Sequence, residues 1–375
     1  MAAHRMLIIN PGSTSTKISV FDDRECLFTE SIFHDAPVLL SYPTVEAQIP
    51  FRKQVITELL HKHGIGIDTI DVFVGRGGSA CPQKAGVMII DEKLYNDTVS
   101  AAGGSDHPAK LGVILAYELC REYGGQMFTL DPTNVDELCD YARYTGIHGV
   151  YRKAQTHVLN QKAIGMSHAR KVGKKYEDCN FIICHIDGGI TVTAHSHGKM
   201  IDSNVGSGGD GPFTPTRIGS IPVLEIVRYL EEGHSIEELK TMCSRAGGFV
   251  DHFGTSDSDR IHRMIEDGDE YAAVIWKTMI YQICKCIGEM AVVLDGKADA
   301  ILLTGGLVRF EDIVEMIREK CGWIAPVEVY QGEAEQEAMA AAVRRVLEKR
   351  SNAHKYTGEP VWKDPYAYRS GQQFR

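Results

Sequence analysis

The chain has 375 residues, of which 43% are hydrophobic and 24% charged, and its formal net charge is −10. These values are typical of a globular protein with two domains, and the acidic balance argues against a nucleic-acid partner, which would need a basic face. No apolar run reaches the roughly 18 residues that a membrane span needs, and the N-terminus lacks the layout of a signal peptide, so we expect a cytoplasmic protein without a membrane partner.

The first predicted elements form a strand–turn–strand–turn–strand unit. Residues 6–9 are a short apolar run, which is typical of a buried strand, and a turn of small residues over 10–15 follows. Further strands are predicted over 16–21 and from 24 to about 29. The rest of this half is predicted to contain helices over 51–63, 108–122 and 135–144 and strands over 72–74 and 127–130.

The same layout returns at residue 181. A buried strand over 181–186 meets an Asp-Gly-Gly turn, an alternating strand begins at Ile190, and a third strand covers 199–202. The later predictions are a linking segment over 157–171, a helix near 275–294, a strand over 300–303, helices near 311–320 and 333–348, and an extended surface tail over 351–375. We therefore predict domains at 1–155 and 156–350. The ten cysteines contain no Cys-x-x-Cys pair, which favours reduced, buried thiols such as Cys184 and Cys284.

Three glycine-containing turns are candidate phosphate sites. They are Asn10-Pro11-Gly12-Ser13-Thr14-Ser15-Thr16-Lys17, His185-Ile186-Asp187-Gly188-Gly189 and Thr304-Gly305-Gly306. Small residues let backbone N–H groups approach a phosphate closely. Each turn taken alone also fits an ordinary hairpin or a strand-to-helix turn. The first is not a P-loop, because a strand rather than a helix follows its lysine.

Together these turns resemble the phosphate-1, phosphate-2 and adenosine segments of the acetate and sugar kinase, Hsp70 and actin superfamily. Within it, four further blocks resemble the butyrate kinases of the acetokinase family, namely residues 75–78, 131–138, 157–163 and 210–219. The resemblance implies an α/β fold of two RNase H-like domains with ATP held in the cleft between them.

The resemblance also implies roles for individual residues. Arg76 and Arg217 would hold the carboxylate and the transferred phosphoryl group, Asp131 would bind or orient Mg²⁺, and His185 would donate to a phosphate. Nucleotide contacts are expected from Asn10, Gly12, Ser13, Thr14, Ser15, Lys17, His185, Gly188, Gly189, Gly305 and Gly306. Metal contacts are expected from Asn10, Asp131, and Glu335 or Glu337. From the residues alone, either arginine also fits the surface, His185 also fits a hydrogen-bonded strand histidine, and Asp131 also fits a helix N-cap.

Two positions depart from the family pattern. Lys153 stands where acetate kinases carry a histidine, and Asp187 stands where butyrate kinases usually have a glycine. A carboxylate in the second turn would repel ATP unless it faces a metal or solvent. His195-Ser196-His197 also invites a metal interpretation, but the segment fits the end of a hairpin better.

The resemblance implies a kinase that converts ATP and butyrate to ADP and butyryl phosphate with Mg²⁺, and that forms a homo-oligomer. Isobutyrate, propionate and acetate are alternative substrates, since one methylene changes discrimination by only about 10–200-fold. More distant alternatives are an ATPase or a non-catalytic sensor with the same fold.

Overall fold

The computed structural model describes residues 4–12, 15–35, 38–39, 41–104 and 108–366. Their contacts define two compact units. The first unit comprises residues up to 136 together with 334–366, and the second unit comprises 137–333. These bounds differ from the expected ones at 155 and 350, because the chain returns to the first unit for its last helix.

The described residues form strands and helices in both units. The strands are β1 (Arg5–Pro11), β2 (Ser15–Asp22), β3 (Glu25–Phe33), β4 (Val72–Arg76), β5 (Val87–Ile89), β6 (Gln126–Leu130), β7 (Asn180–Ile186), β8 (Ile190–Ser196), β9 (Lys199–Ser203), β10 (Ala300–Gly305), β11 (Val327–Gln331) and β12 (His354–Lys355). The helices are α1 (Ile49–Lys62), α2 (Glu92–Val99), α3 (Lys110–Tyr123), α4 (Val158–Lys171), α5 (Val223–Glu231), α6 (Ile236–Thr241), α7 (Phe249–Phe253), α8 (Ser258–Glu266), α9 (Glu270–Val293), α10 (Glu311–Cys321) and α11 (Glu335–Leu347).

The first unit is built on a seven-stranded sheet in the order β12-β5-β6-β4-β1-β2-β3. Strands β1, β2 and β3 form an antiparallel meander, whereas β4 pairs parallel to both β1 and β6. Leu7, Ile9 and Phe73 are fully buried on this sheet and pack with helices α1 and α3. The parallel pairing brings the carboxyl ends of β1, β4 and β6 to one edge.

The second unit repeats this order in a five-stranded sheet, β11-β10-β7-β8-β9. Again three antiparallel strands, β7 to β9, lie beside a parallel pair, β10 and β11. The 24-residue helix α9 covers the sheet, and its apolar face includes the buried Trp276, Ile283 and Ile287. The two predicted strand–turn–strand units are therefore present, one in each sheet.

The predicted helix over 135–144 is wrong. Val135 instead pairs with Gln83 in an isolated bridge, the Asp136 N–H donates to the carbonyl of Gln83, and a short 3₁₀ turn covers Asp140–Ala142. These backbone bonds to a neighbouring segment replace the ones that a helix would have made. No helix follows Asp131, so its alternative role as a helix N-cap is also excluded.

The C-terminal segment is more than a surface tail. Strand β12 extends the first sheet by pairing with β5, and the Tyr356 side chain is buried in the first core. Its hydroxyl accepts from the Cys81 N–H at 3.0 Å and donates to Asp97 at 2.8 Å. The final residues, 367–375, lie outside the described residues.

The cysteines are all free thiols, and Cys184 and Cys284 are buried as expected. Burial raises the pKa of Cys184 well above its usual value, because the thiolate would be desolvated. Among the described residues, no helix combines the length and apolar character that crossing a membrane requires.

Candidate functional site

Three candidate residues lie at the carboxyl edge of the first sheet. Asn10 is near the end of β1, Arg76 ends β4, and Asp131 follows β6. The registers place Ile9 beside Gly75 and Arg76 beside Leu130, so the three positions come from adjacent parallel strands. This edge is where polar sites collect in α/β proteins.

Glu335 completes this cluster. The Asn10 amide donates to Glu335 Oε2 at 2.6 Å, Arg76 Nη1 donates to the same oxygen at 3.1 Å, and Arg76 Nη1 also donates to Asn10 Oδ1 at 3.2 Å. Glu335 is 1% exposed and Asn10 is 6% exposed, so the ion pair is shielded from water. A pair of this kind retains more of its electrostatic strength than a surface pair.

Glu335 and Glu337, the two candidate glutamates of the last helix, differ in their contacts. Glu335 begins α11, whose N-terminal turn packs on the first sheet, while Glu337 is exposed. The positive end of the helix dipole favours a carboxylate in this first turn. Of the two candidates, Glu335 alone contacts Asn10 and Arg76.

A pair of glycines permits the approach that positions Arg76. A side chain at Gly75 would come within 2.0 Å of the Gly112 carbonyl, and one at Gly112 would come within 2.4 Å of the Arg76 carbonyl. Strand β4 and helix α3 therefore touch backbone to backbone at this point. The arginine projects from an element that has little freedom to move.

Arg76 keeps donors available. Its hydrogen bonds to Asn10 and Glu335 both leave from Nη1, and Nη2 and Nε have no hydrogen-bond partner among the described residues. The side chain is 17% exposed. A planar group with free N–H donors at a strand end is suited to binding a carboxylate or a phosphoryl group.

Asp131 adopts a strained backbone conformation. Its φ is +41°, in the left-handed region that non-glycine residues seldom occupy. It is 5% exposed, and its Oδ1 accepts from the Gly86 N–H at 2.6 Å. This conformation and this bond fix the position of a carboxylate two strands away from Asn10.

The first glycine turn is described at both ends. The Gly12 N–H donates to the Ser15 carbonyl at 2.9 Å. Lys17 pairs directly with Asn10 across the β1–β2 hairpin, which places both side chains on one face of the sheet. Ser13 and Thr14 lie outside the described residues.

His185 lies at the corresponding strand end of the second unit. Its Nδ1 is 3.0 Å from Asn160 Oδ1, its ring stacks on His157 at 3.9 Å, and its Nε2 is 3.9 Å from Glu333 Oε1. It is 2% exposed. Its strand alternative is compatible with these contacts, and so is a role in holding an anion or a metal.

Asp187 joins the second and third glycine turns. Its Oδ1 accepts from the Gly188 N–H at 2.8 Å, and its Oδ2 accepts from the Gly306 N–H at 2.9 Å. A side chain at Gly305 would come within 2.4 Å of the Ile186 carbonyl, so the turns are in close contact. The carboxylate thus has a structural use that the sequence analysis did not anticipate.

Arg217 lies against the second turn. A side chain at Gly189 would come within 2.4 Å of Arg217 Nη1, and that nitrogen donates to the Gly206 carbonyl. The Arg217 Nε is buried without a hydrogen-bond partner among the described residues. Burial lowers the pKa of Arg217 because the cation is partly desolvated. Thr214 and Thr216 both donate to the Gly188 carbonyl, which ties the loop of Arg217 to the turn.

Glu333 was missed by sequence reasoning. One ligand atom each from His185, Asp187 and Glu333 lie within 4.8 Å of one another, a spacing that a metal ion could bridge. Glu333 follows β11 in a loop with no distinctive motif, so only its proximity to β7 identifies it. Lys153, which stands where acetate kinases carry a histidine, is exposed.

The region over residues 137–350 matches the model of the acetokinase family. This region is more than half of the chain. The chain belongs to the acetokinase family. Membership in this family implies phosphoryl transfer between a nucleotide and a carboxylate, with ATP and a divalent metal as the family's general requirements.

Solved acetokinase structures share the fold. An acetate kinase from Porphyromonas gingivalis is 18% identical, with a TM-score of 0.73 over 92% of this chain and 100% of that chain. A propionate kinase from Francisella tularensis is 16% identical, with a TM-score of 0.71 over 90% and 98%. An acetate kinase from Entamoeba histolytica is 17% identical, with a TM-score of 0.70 over 90% and 98%. The expected fold class, α/β with two RNase H-like domains, is confirmed.

The acetokinase assignment accounts for the chemistry of the described clusters. The first unit contributes a partly free arginine beside a buried carboxylate, and the second contributes glycine turns beside a second arginine. These are the group types that phosphoryl transfer requires. The individual roles belong to the proposal below.

Proposed function

We propose that this acetokinase transfers the γ-phosphoryl group of ATP to a short-chain carboxylate, with butyrate as the preferred substrate. The observation that supports the proposal best is the buried cluster of Asn10, Arg76 and Glu335, because it holds an arginine with free donors at a strand end. The family supplies the reaction class, and this cluster supplies a place for an anionic substrate.

The proposed mechanism is direct in-line transfer. A carboxylate is already ionised near neutral pH, so its oxygen can attack the γ-phosphorus without a general base. The bond from phosphorus to the bridging oxygen of ADP breaks as the new bond forms. Negative charge on the transferred group is the main obstacle, and the proposal assigns its stabilisation to Arg76 and Arg217. His185 is assigned as a donor to a phosphate.

The residues of the first unit fit a divalent cation. Glu335 Oε1 is buried and has no hydrogen-bond partner among the described residues, so a hard oxygen ligand is available beside Asn10. Asp131 provides a second fixed carboxylate at the same sheet edge. Such oxygens suit Mg²⁺, which would neutralise phosphate charge when bound.

The preference for butyrate rests on the resemblance to butyrate kinases, and a small apolar cavity beside the residues that follow Arg76 is the proposed place for the hydrocarbon tail. Gly77 and Gly78 lie on an apolar cavity of about 10 Å³, room for about one water molecule. Its other lining residues are Ala80, Cys81, Gln83, Met88, Leu94, Thr98, Val113, Thr129, Pro132 and Asn134. The hydrocarbon tail of a bound acid would enlarge this cavity by displacing flexible side chains such as Met88.

The decisive experiment is an ADP-release assay with straight and branched acids of two to six carbons. We expect turnover that depends on the acid and is fastest with butyrate. Arg76→Ala and Arg217→Ala should each lower turnover by about 10²–10³-fold, as does the loss of one preorganised donor. The exposed Arg121→Ala and Arg263→Ala are matched controls that should keep wild-type turnover.

The same acid panel tests the cavity. A side chain at Gly78 would have its nearest contact at 3.1 Å from Thr133 Oγ1, so Gly78→Ala requires a small shift of the Thr133 side chain. We expect it to reduce kcat/KM for butyrate more than for acetate, by up to about 10-fold. Gly146→Ala, on an open surface, is the control.

The alternatives are distinguished by these measurements. ADP release that is independent of any acid would identify an ATPase and overturn the proposal. A protein that binds nucleotide without turnover would be a sensor. Faster turnover with propionate or isobutyrate than with butyrate would support the carboxylate kinase activity but would show that butyrate is not its preferred substrate.

A further inference from the structure

A buried arginine with no assigned role lies beneath the first glycine turn. Arg52 is on α1 and is 0% exposed. Fully buried arginines are rare, because desolvating the cation is costly unless its donors are satisfied. Its position therefore calls for a specific reason.

Arg52 bonds to both ends of the turn. Nη1 donates to the Ser15 carbonyl at 2.7 Å and to Thr16 Oγ1 at 2.9 Å, and Nη2 donates to the Gly12 carbonyl at 3.1 Å. The guanidinium thus spans the two described ends of a segment that the family resemblance assigns to nucleotide phosphates. A bridge of this kind fixes the separation of the two ends.

The remaining donors are directed to Gln48. Nη2 donates to Gln48 Oε1 at 2.9 Å and Nε donates to the same oxygen at 3.2 Å. Arginine has five N–H donors, and these five bonds use all of them. None is left for a ligand, so Arg52 cannot act by contacting the substrate.

The positive charge of Arg52 is not cancelled locally. Its five bonds go to carbonyl, hydroxyl and amide oxygens, and none of the carboxylates in the described ranges forms an ion pair with it. Burial lowers the pKa of Arg52 to about 10, which still leaves it cationic at neutral pH. A buried, unpaired cation behind a turn makes the potential at that turn more favourable to an anion.

We propose that Arg52 is a positioning residue that holds the two described ends of the first glycine turn, Gly12 and Ser15, and supplies the positive potential there that ATP phosphates require. The inference rests on the proposed function, because it assumes that this turn binds the nucleotide. Arg52 lies on a different element, α1, and it bonds to Gly12 and Ser15 of the turn. It would therefore act on the nucleotide through the turn and not by direct contact.

The test compares Arg52→Lys and Arg52→Met. Lysine keeps the charge but loses the fork, whereas methionine keeps the approximate length and loses both. We expect kcat/KM for ATP to fall by about 10²-fold in Arg52→Lys, the loss that misplacing a group by about 1 Å can cause, and to fall further in Arg52→Met. The KM for the carboxylate should change less than twofold.

Matched variants separate positioning from folding. Lys53→Met removes a charge from the next position of the same helix and should leave the KM for ATP unchanged. Gln48→Ala keeps Arg52 but removes the oxygen that orients it, so it should raise the KM for ATP by a smaller factor. Gln48→Ala also tests the inference if Arg52→Met fails to fold.

Melting temperature and ADP binding by calorimetry complete the design. Arg52 and Gln48 variants that melt lower but bind ADP and use ATP like the wild type would show a purely structural role and overturn the inference. Wild-type turnover that requires a carboxylate, combined with such variants, would overturn it and leave the proposed function standing. A wild-type protein that binds no ADP would overturn both the inference about Arg52 and the proposed function, because both assume that the protein binds a nucleotide.

Discussion

At the residue scale, one oxygen distinguishes Glu335 from the other acidic candidates. Its Oε2 accepts from Asn10 and Arg76, whereas its Oε1 is buried and unpartnered among the described residues. An unsatisfied buried carboxylate oxygen is unfavourable unless something binds it. The proposed cation would supply that partner.

Glu335→Gln should therefore weaken the response to Mg²⁺. We expect turnover to fall at least about 10-fold, as for loss of a charged ligand, and the Mg²⁺ concentration for half-maximal turnover to rise. Mg²⁺ should also raise the melting temperature of Glu335→Gln by less than it raises that of the wild type. This difference can be measured without turnover. The exposed Glu337→Gln is the control, and equal effects in the two variants would contradict the assignment.

Asp187 shows how a departure from a family pattern can be compensated. The carboxylate was expected to repel ATP unless it faces a metal or solvent, and its two oxygens accept backbone N–H groups from the second and third turns. Hydrogen bonds to a charged group each contribute about 1.5–3 kcal/mol. The side chain therefore fastens these turns together.

Asp187→Gly should lower the free energy of unfolding by about 3–6 kcal/mol, since it removes both bonds and adds backbone freedom. Asp187→Asn, which keeps an oxygen but loses the charge, should fall between Asp187→Gly and the wild type. Urea unfolding of the three proteins provides the measurement. Unchanged stability in Asp187→Gly would show that the bonds contribute little.

At the element scale, the hairpin of β8 and β9 separates the two histidines of His195-Ser196-His197. His195 is 0% exposed and bonds to Tyr176 at 2.5 Å and to Gln161 at 3.2 Å, whereas His197 lies in the following turn with φ of +49°. These contacts account for His195 without a metal. Burial, with a smaller effect of Lys162, lowers the pKa of His195 well below 6.5.

This shift predicts acid sensitivity of the second unit. Below pH 6.5 the unfolded chain binds a proton that the folded His195 does not, so stability is lost as the pH falls from 6.5 towards the folded pKa. The loss from this group should reach about 1.4 kcal/mol by pH 5.5. Burial lowers the pKa of His168 too, and this adds in the same direction.

Urea unfolding at pH 7.5 and 5.5 measures the effect. His195→Gln should show a smaller difference between the two pH values, and the exposed-turn variant His197→Gln should match the wild type. An NMR titration of the wild type gives a second readout, in which the His195 ring should stay neutral at pH 5.5. A His195 ring that titrates near 6.5 would refute the shift.

Elements with a clear hydrophobic period were predictable from the sequence. Strands such as β1 and β7 and the long helix α9 follow from apolar runs and helical spacing alone. The segment over 135–144 has helix-forming residues, yet tertiary backbone bonds override that propensity. The strands β5, β11 and β12 and the helices α2 and α5 to α8 were not predicted, although the apolar residues of α5 and α8 do gather on one helical face.

The site was predictable where a motif or a resemblance marked it, as for Asn10 and Arg76. The choice of Glu335 over Glu337 was not, because both begin the same helix and only packing decides which one is buried. Arg52 was also missed. It contacts Ser15, which lies 37 positions earlier in the chain, and nothing in the sequence of a helix indicates that one of its arginines packs against so distant a turn. Such residues become visible only through contacts between segments distant in sequence.

At the scale of the whole molecule, helix α5 of the second unit exposes apolar side chains. Val223 and Leu224 are each 76% exposed, and Val227 is 42% exposed. An exposed apolar patch of this kind is typical of an interaction surface. It is a candidate surface for the expected homo-oligomer, which would be formed with a second copy of this chain.

Leu224→Glu tests that expectation. If copies associate through α5, a charge in its exposed first turn should shift the protein to the monomer mass in size-exclusion chromatography with light scattering. Glu232→Gln, at the end of the same helix, is the control. A wild type that elutes as a monomer at every concentration would contradict the expected oligomer.

The divided first unit has a consequence for biosynthesis. Most of its sheet is made before the second unit, but Glu335 and β12 emerge from the ribosome only after the whole second unit. During synthesis the second unit can therefore fold while the first unit is still incomplete, because Glu335 and β12 have not yet been made. A fragment that ends at Glu333 and has been released from the ribosome should accordingly be cut by protease within residues 4–136 and spared within 137–333.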